Sequence, residues 1–179
     1  LAPGNKWQSF PGLSVGWRIK DEGFLSGANF LSELKLRASY GKVGNTGVLP
    51  NQTQGILANT YYDWNNVDAR GFRLNQLDNP ALGWEVSEQV DAGVDFAFFN
   101  GRLNGYVDFY RTSTGTSLLL NKQLPPTSGY AYQLQNIGGT ETKGFEITLN
   151  AVIIDNPNSL KWEAEFNLGS LKEKIVDLS

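Results

Sequence analysis

The sequence contains no cysteine, no histidine and no methionine. Without cysteine, disulfide scaffolds, thiol catalysis and cysteine-based metal sites are excluded. The absence of histidine removes the commonest general base and the commonest metal ligand, which argues against a hydrolytic triad or a zinc site. We therefore expect no catalytic residue, no cofactor-binding residue and no metal site, and we expect the protein not to be an enzyme.

A strong net charge and a long apolar run are also missing. Lys plus Arg number 15 and Asp plus Glu number 18, a formal net charge of −3, which gives no electrostatic basis for a nucleic-acid partner. The longest apolar runs, such as Ala151 to Ile154, fall far below the roughly 18 residues of a transmembrane helix. Because the sequence opens at Leu1 and lacks methionine, we expect it to be an internal or C-terminal part of a longer protein.

What the sequence does contain is long stretches in which apolar and polar residues alternate. In the longest stretch one parity is apolar, with Glu88 as its one interruption, and comprises Trp84, Val86, Val90, Ala92, Val94, Phe96 and Phe98. A period of two predicts a β-strand, and this one is about twice the ordinary length of five or six residues. A membrane-spanning strand needs about 9 to 11 residues, so the length favours a strand that crosses a bilayer.

A hairpin is predicted directly after this stretch by Asn100 and Gly101. This pair suits a two-residue turn, because both of its central residues need positive φ. With that turn Phe98 faces Leu103, and the apolar parity of the first strand meets the apolar parity of the second. A slip of one residue would destroy the match, so the register is well specified.

A second hairpin is predicted near the end of the sequence, where pairing of Ile153 with Leu160 would set Ala151 opposite Trp162. In all, six long strands are expected, near residues 10–20, 31–41, 84–98, 103–120, 137–153 and 160–170. The connections between them alternate in length, and the two longest lie near residues 42–83 and 121–136.

Alternating short and long connections are typical of outer-membrane barrels, which have short periplasmic turns and long extracellular loops. The sequence therefore predicts an all-β fold, an antiparallel up-and-down transmembrane β-barrel in which the two long connections are extracellular. The alternative is a secreted β-sandwich that acts as a carbohydrate-binding module. Its strands would alternate in the same way, because one face of each would be buried in a core.

Six sequence strings, in this order and spacing, resemble the C-terminal barrel region of the SusC/RagA family of TonB-linked outer-membrane transporters of Bacteroidetes. The resemblance extends from about Phe10 to Leu178. The strings are SVGWRI at 14–19, LKLRASYGKVGN at 34–45, NPALGWE at 79–85, FFNGRLNGYVDFYR at 98–111, LPPTSGY at 124–130 and QNIGGTETKGFEITLNA at 135–151.

This resemblance implies that residues 1–179 are part of a barrel of about 22 strands in a Gram-negative outer membrane. We expect the N-terminal plug domain of such transporters to lie outside these residues. The resemblance further implies TonB-dependent import of glycans or peptides, outer-membrane lipid around the barrel, and a SusD-like surface lipoprotein that captures the ligand.

The polar parity of the central hairpin provides candidate lumen-lining residues, namely Asp91, Asp95, Tyr106 and Tyr110. Asp95 is expected opposite Tyr106, and Asp91 opposite Tyr110. Together with Asp108 they could form a carboxylate site for acid and base chemistry, but a hydrated lumen wall is the favoured interpretation.

The long connection after the second strand contains three aromatic residues, Tyr61, Tyr62 and Trp64, beside hydrogen-bonding groups. Aromatic faces combined with polar groups are typical of sugar-binding platforms, so these residues are a candidate ligand-contacting loop. A loop that packs on its neighbours is the alternative.

Overall fold

The computed structural model describes residues 1–115, 117–156 and 159–178. These residues contain no α-helix, and only three short 3-10 turns interrupt the strands. No helix within these ranges has the length and apolar character needed to cross a membrane. The strands are β1 (Gly12–Arg18), β2 (Leu31–Asn45), β3 (Ile56–Trp64), β4 (Val67–Leu77), β5 (Glu85–Phe98), β6 (Leu103–Ser113), β7 (Leu119–Gln123), β8 (Tyr132–Asn136), β9 (Gly139–Asp155) and β10 (Lys161–Asp177).

The six strands predicted from the alternation form one sheet in the order β1, β2, β5, β6, β9, β10. Every neighbouring pair in this sheet is antiparallel. Each of these six strands lies next to the one that follows it in this set along the chain, which is an up-and-down arrangement. The predicted antiparallel fold is therefore confirmed, as an open part of a barrel whose edge strands are β1 and β10 in the described ranges.

The connections predicted as long loops contain a second sheet, with the order β3, β4, β8, β7. Its β4 and β8 pair in parallel through Gln76 and Tyr132. The expected strand near 103–120 is shorter in the structure, because β6 ends at Ser113. There the Thr114 amide donates a hydrogen bond to the carbonyl of Thr140, and Gly115 has a φ of 59°.

The register of the central hairpin is the predicted one, with Phe98 opposite Leu103. Its turn differs from the predicted two-residue turn, because residues 99–102 form the loop. Asn100 and Gly101 have the expected positive φ, and Phe99 also has a positive φ, of 53°. The Phe99 amide donates a 2.8 Å hydrogen bond to the carbonyl of Phe30, in the connection between β1 and β2. This contact with a neighbouring turn holds Phe99 in a conformation that its own sequence does not favour.

The predicted register of β9 and β10 is wrong by two residues. Ala151 pairs with Ala164 and not with Trp162. At the turn the offset is three residues, with Asp155 opposite Lys161, and the irregularity between Trp162 and Glu163 reduces it to two. From Glu163 onward a shift of two leaves each side chain on its original face, so the apolar surface is preserved there. Residues 157 and 158 of the predicted connection lie outside the described part of the chain.

One face of the six-stranded sheet is apolar from edge to edge in its middle rows. Its middle row, one residue from each strand, consists of Trp17, Leu36, Val94, Val107, Ile147 and Leu168. Side chains of this face are partly to largely exposed, such as Leu36 at 38%, Trp17 at 51% and Phe109 at 60%. A β-sandwich requires a second sheet over this face, and none covers it in the described ranges.

The small buried core lies mainly beside the second sheet. Leu82 and Gln76 are fully buried there, and Leu134 of β8 is nearly so. The buried apolar residues of the described chain are Ala2, Leu31, Leu82, Ala97 and Leu134. The long connections therefore have a packed anchor of their own, whereas the large sheet has almost no core.

Candidate functional site

The polar face of the six-stranded sheet carries the four candidate lumen-lining residues together. Asp95 lies opposite Tyr106, and Asp91 lies opposite Tyr110, as the alternation predicts. In the described residues no group of three or more His, Cys, Asp or Glu side chains is arranged to hold a metal ion.

Arg37 of β2 joins three adjacent strands on this face. Its Nε donates to both carboxylate oxygens of Asp95 on β5, at 2.9 and 3.0 Å. Its Nη2 donates to both carboxylate oxygens of Asp108 on β6, at 2.9 and 3.2 Å. Lys35 Nζ lies 3.8 Å from Asp95 Oδ2. The two cations and two carboxylates of this network balance each other, and hydrogen bonds to both oxygens of each carboxylate fix the Arg37 side chain.

Gly93 makes room for this network. A Cβ added at this position would lie 1.9 Å from Asp108 Oδ1 and 2.9 Å from Arg37 Nη2. Any larger residue would push the carboxylate and the guanidinium apart. The glycine on the polar parity of β5 is therefore explained by the ion pair that crosses above it.

In the sequence, Arg18, Lys20, Lys35 and Arg37 give the first two strands a basic polar parity, which predicts pairing with acids on adjacent strands. The structure shows this pairing only in part. Lys35 and Arg37 pair across strands as expected. Arg18 instead pairs with Asp21, at 3.3 Å, and Lys20 donates to the carbonyl of Leu25. β1 ends at Arg18 on the edge of the described sheet, so both side chains find local partners.

The aromatic candidates Tyr61, Tyr62 and Trp64 belong to a strand and not to a loop. They end β3, and a tight turn at Asn65 and Asn66, with φ of 56° and 57°, leads into β4. Successive strand residues point to opposite faces, so Tyr62 and Trp64 share one face while Tyr61 lies on the other. The three residues therefore cannot form a single platform.

The two faces of this hairpin differ in chemistry. Tyr61 lies opposite Arg70, which donates to Asn59 at 3.0 Å and whose Cζ lies 5.7 Å from the centre of the Phe72 ring. On the other face the Tyr62 ring packs over Gly71, where an added Cβ would lie 2.0 Å from it.

Trp64, by contrast, is 76% exposed, and the exposed Val67 lies directly opposite it. It is the aromatic side chain of the three that is most available to a ligand.

Side-chain amides fasten the long connections to each other, a feature that the sequence reasoning missed. The Asn136 amide donates to the carbonyls of Gly83, Trp84 and Ser117, at 3.2 to 3.3 Å, and accepts from the amide of Gly83 at 2.8 Å. Asn79 donates to the carbonyl of Leu134 at 2.8 Å. We call these two residues and their partners the amide clasp. In the sequence, Asn79 and Asn136 each belong to one of the six strings that carry the family resemblance, NPALGWE and QNIGGTETKGFEITLNA.

Comparison with known proteins gives one consistent result. A family profile described as TonB dependent receptor-like, beta-barrel, matches residues 2–173. TonB-dependent receptor P26 of Formosa agariphila is 37% identical over 174 residues, which are 97% of this chain and 17% of that protein. TonB-dependent receptor SusC of Bacteroides thetaiotaomicron is 34% identical over 188 residues, covering 98% of this chain and 18% of that protein.

Solved structures agree with these relatives. The structure titled RagAB peptide transporter superimposes with a TM-score of 0.80 and 30% identity, over 94% of this chain and 18% of that chain. The RagAB peptide importer in its open-open state also gives a TM-score of 0.80. The chain thus spans less than one fifth of the length of the proteins it matches.

Proposed function

Because the chain belongs to the TonB dependent receptor-like β-barrel family, we propose that it forms part of the barrel wall of an outer-membrane transporter that imports glycans or peptides. Import would draw energy through TonB, with a SusD-like surface lipoprotein as the capturing partner. The names of the relatives SusC and RagAB support this assembly. The chain would have a transport role and no catalytic one.

The observation that carries the proposal is the height of the uncovered apolar face. On β5 the apolar parity runs from Phe98 to Val90, which spans about 27 Å along the strand at roughly 3.4 Å per residue. A strand tilt of about 40° reduces this to a height of roughly 21 Å, close to the apolar band of about 25 Å on outer-membrane barrels. An exposed apolar surface of this height suits a bilayer.

The polar face would then line the lumen, with Asp91, Asp95, Tyr106 and Tyr110 in contact with water. The neutral network around Arg37 supports a rigid wall there. The ends of the strands that carry the second sheet would face the outside, because long connections are extracellular in such barrels. The plug domain would enter the lumen from a part of the protein beyond these residues.

Labelling of cysteine variants tests the orientation in the full-length receptor. Tyr62→Cys should react with an impermeant maleimide on intact cells, whereas Asn100→Cys in the short turn should react only after the cells are opened. Equal labelling of both positions on intact cells would contradict the proposed orientation. Both positions are exposed in the structure, so access to the reagent and not burial decides the result.

For the ligand, we propose that Trp64 provides an aromatic contact from the outer end of the barrel, with Tyr62 beside it. Trp64→Ala should lower uptake of the receptor's glycan or peptide substrate about tenfold, the loss expected of one aromatic contact. Tyr61→Ala, on the opposite face, is the matched control and should have little effect. Uptake of radiolabelled substrate by intact cells measures both, and equal effects of the two variants would contradict a one-sided contact.

A further inference from the structure

A patch of basic residues interrupts the apolar face at one end of β6, β9 and β10. Arg111 lies opposite Lys143, and Lys143 lies opposite Lys172, so three cations occupy one row of the sheet. On β1, β2 and β5 the same row is apolar, with Leu13, Tyr40 and Val90. In this row the charge is therefore confined to β6, β9 and β10, whereas the next row outward carries on β5 and β2 the ion pair of Glu88 with Lys42, which balances itself. We call Arg111, Lys143, Lys172 and the nearby Lys174 the basic patch.

The basic patch contains one carboxylate for four cations. Glu141 has only 6% of its side chain exposed and pairs with Arg111, with Lys143 at 3.2 Å and with Lys174 at 2.9 Å. Like charges directly across neighbouring strands repel each other, and a single carboxylate leaves three positive charges unbalanced. Glu141, Lys143, Lys172 and Lys174 line a cavity of about 240 Å³. The arrangement thus favours an additional anion.

The position of the patch indicates where that anion comes from. Arg111 lies in the row of Val90, about 10 Å in height from the middle row of the apolar face, by the same rise and tilt as above. Lys174 and Glu141 lie one row further out. Half of an apolar band of about 25 Å is roughly 12 Å, so the patch lies at its boundary. It also lies at the end that carries the second sheet.

We propose that the basic patch binds the phosphate groups of a lipid headgroup in the outer leaflet of the membrane. This inference depends on the proposed function, which sets the apolar face against lipid and the second sheet outside. The guanidinium of Arg111 and the lysine ammonium groups surround the phosphate, as such groups do elsewhere. The acyl chains lie on the apolar rows below, beside Phe109 and Phe145, whose rings are 6.2 Å apart.

Reconstitution of the full-length receptor tests this site. Nanodiscs of phosphatidylcholine with graded amounts of lipid A, a glycolipid that carries phosphate, provide the probe, and native mass spectrometry counts the retained lipid. Each basic residue at an anionic membrane surface contributes roughly fivefold in affinity. Lys172→Gln should therefore weaken lipid A retention about fivefold, and the Lys143→Gln/Lys172→Gln double variant roughly 30-fold. Lys161→Gln, at the opposite end of β10, is the matched control and should leave retention unchanged.

A competition experiment distinguishes a lipid headgroup site from a site for any phosphate anion. Inorganic phosphate at millimolar concentration should not displace lipid A, and equal displacement would show a simple anion site and overturn the proposal. Unchanged retention in both lysine variants would also overturn it, while the cysteine labelling could still support the orientation. Lys172 is outside the three ion pairs of Glu141, so the single variant is informative even if the double variant misfolds.

Discussion

At the scale of single residues, the polar face is organised by one guanidinium that lies above a glycine. Arg37 engages carboxylates on β5 and β6 at once because Gly93 leaves the space between them free. Sequence alternation places Arg37, Asp95 and Asp108 on one face, and it predicted pairing of Arg37 with an acid on a neighbouring strand. It could not predict that a glycine is needed for the pairing, since that follows from distances between side chains.

This arrangement predicts that Gly93→Ala is destabilising. The added methyl group would overlap Asp108 and displace the ion pair, at a cost of about 1 to 3 kcal/mol, as for overpacking elsewhere. In an Asp108→Ala background the cost of the same substitution should shrink, because the overlapping carboxylate is gone. The free energy of unfolding in detergent micelles measures both.

Gly41→Ala serves as the control for Gly93→Ala. Gly41 belongs to β2 and lies on the same polar face of the sheet as Gly93, but no atom lies within 4 Å of a Cβ added there. Its substitution should change the unfolding free energy by less than about 0.5 kcal/mol. A Gly93→Ala cost that is as small as this, or that is equal with and without Asp108, would show that the network does not depend on the glycine.

At the scale of elements, periodic features were predictable and non-periodic ones were not. The faces of the six long strands and the register at Phe98 and Leu103 follow from alternation and from an Asn-Gly turn. The offset between β9 and β10 arises at the turn, where Asp155 pairs with Lys161, and an irregularity after Trp162 changes it by one residue; no residue pattern gives a signal for either. The positive φ of Phe99 depends on the carbonyl of Phe30, which is remote in sequence.

The sequence indicates short strands near 56–62 and 72–77 in the first long connection, which correspond to β3 and β4. Their assembly with β7 and β8 into a second sheet escaped prediction, because the anchor of that sheet is made of amides. The amide clasp uses Asn79 and Asn136, more than 50 residues apart in sequence, to pair with backbone groups rather than with each other. Such bonds leave no period in the sequence. They matter because the connection that carries Trp64 ends beside them, at Gly83 and Trp84.

The clasp predicts the effect of Asn136→Ala on the connection that precedes β5. Loss of the amide leaves the carbonyls of Gly83, Trp84 and Ser117 without this donor, and each lost bond costs about 1 kcal/mol. Hydrogen exchange at residues 79–84 should therefore become at least tenfold faster. Asn121→Ala, an exposed asparagine on β7, is the control and should leave that exchange unchanged. Equal protection in both variants would rule out a role for the clasp in ordering this segment.

At the scale of the whole molecule, an open sheet with one bare apolar face and two free edges needs partners on every side. The described residues bury five apolar side chains, too few for the burial that stabilises a domain of this size. Under the proposed function, adjacent barrel strands and lipid supply the missing burial. The need for burial beyond these residues agrees with the comparison, in which the chain covers 17% of TonB-dependent receptor P26 of Formosa agariphila.

The same requirement yields a prediction about depth in the bilayer. Val94 lies in the middle row of the apolar face, whereas Phe98 lies at the short-turn end, beside the rings of Phe30 and Phe96 at 6.2 and 5.6 Å. An arginine at the midplane of a barrel costs about 2 to 4 kcal/mol, and the cost falls to roughly 0 to 1 kcal/mol near the interface. Val94→Arg should thus be far more damaging than Phe98→Arg.

Alanine variants isolate the charge from the lost packing. The unfolding free energy of Val94→Arg is compared with that of Val94→Ala, and Phe98→Arg with Phe98→Ala, because Phe98→Ala accounts for the lost aromatic contacts. Measured in full-length receptor reconstituted in bilayers of increasing thickness, the arginine increment at Phe98 should grow as a thicker bilayer draws that end below the headgroups. The increment at Val94 should stay high throughout. If the two increments are equal and neither responds to thickness, the face packs against protein, and the assignment of lipid to it is wrong.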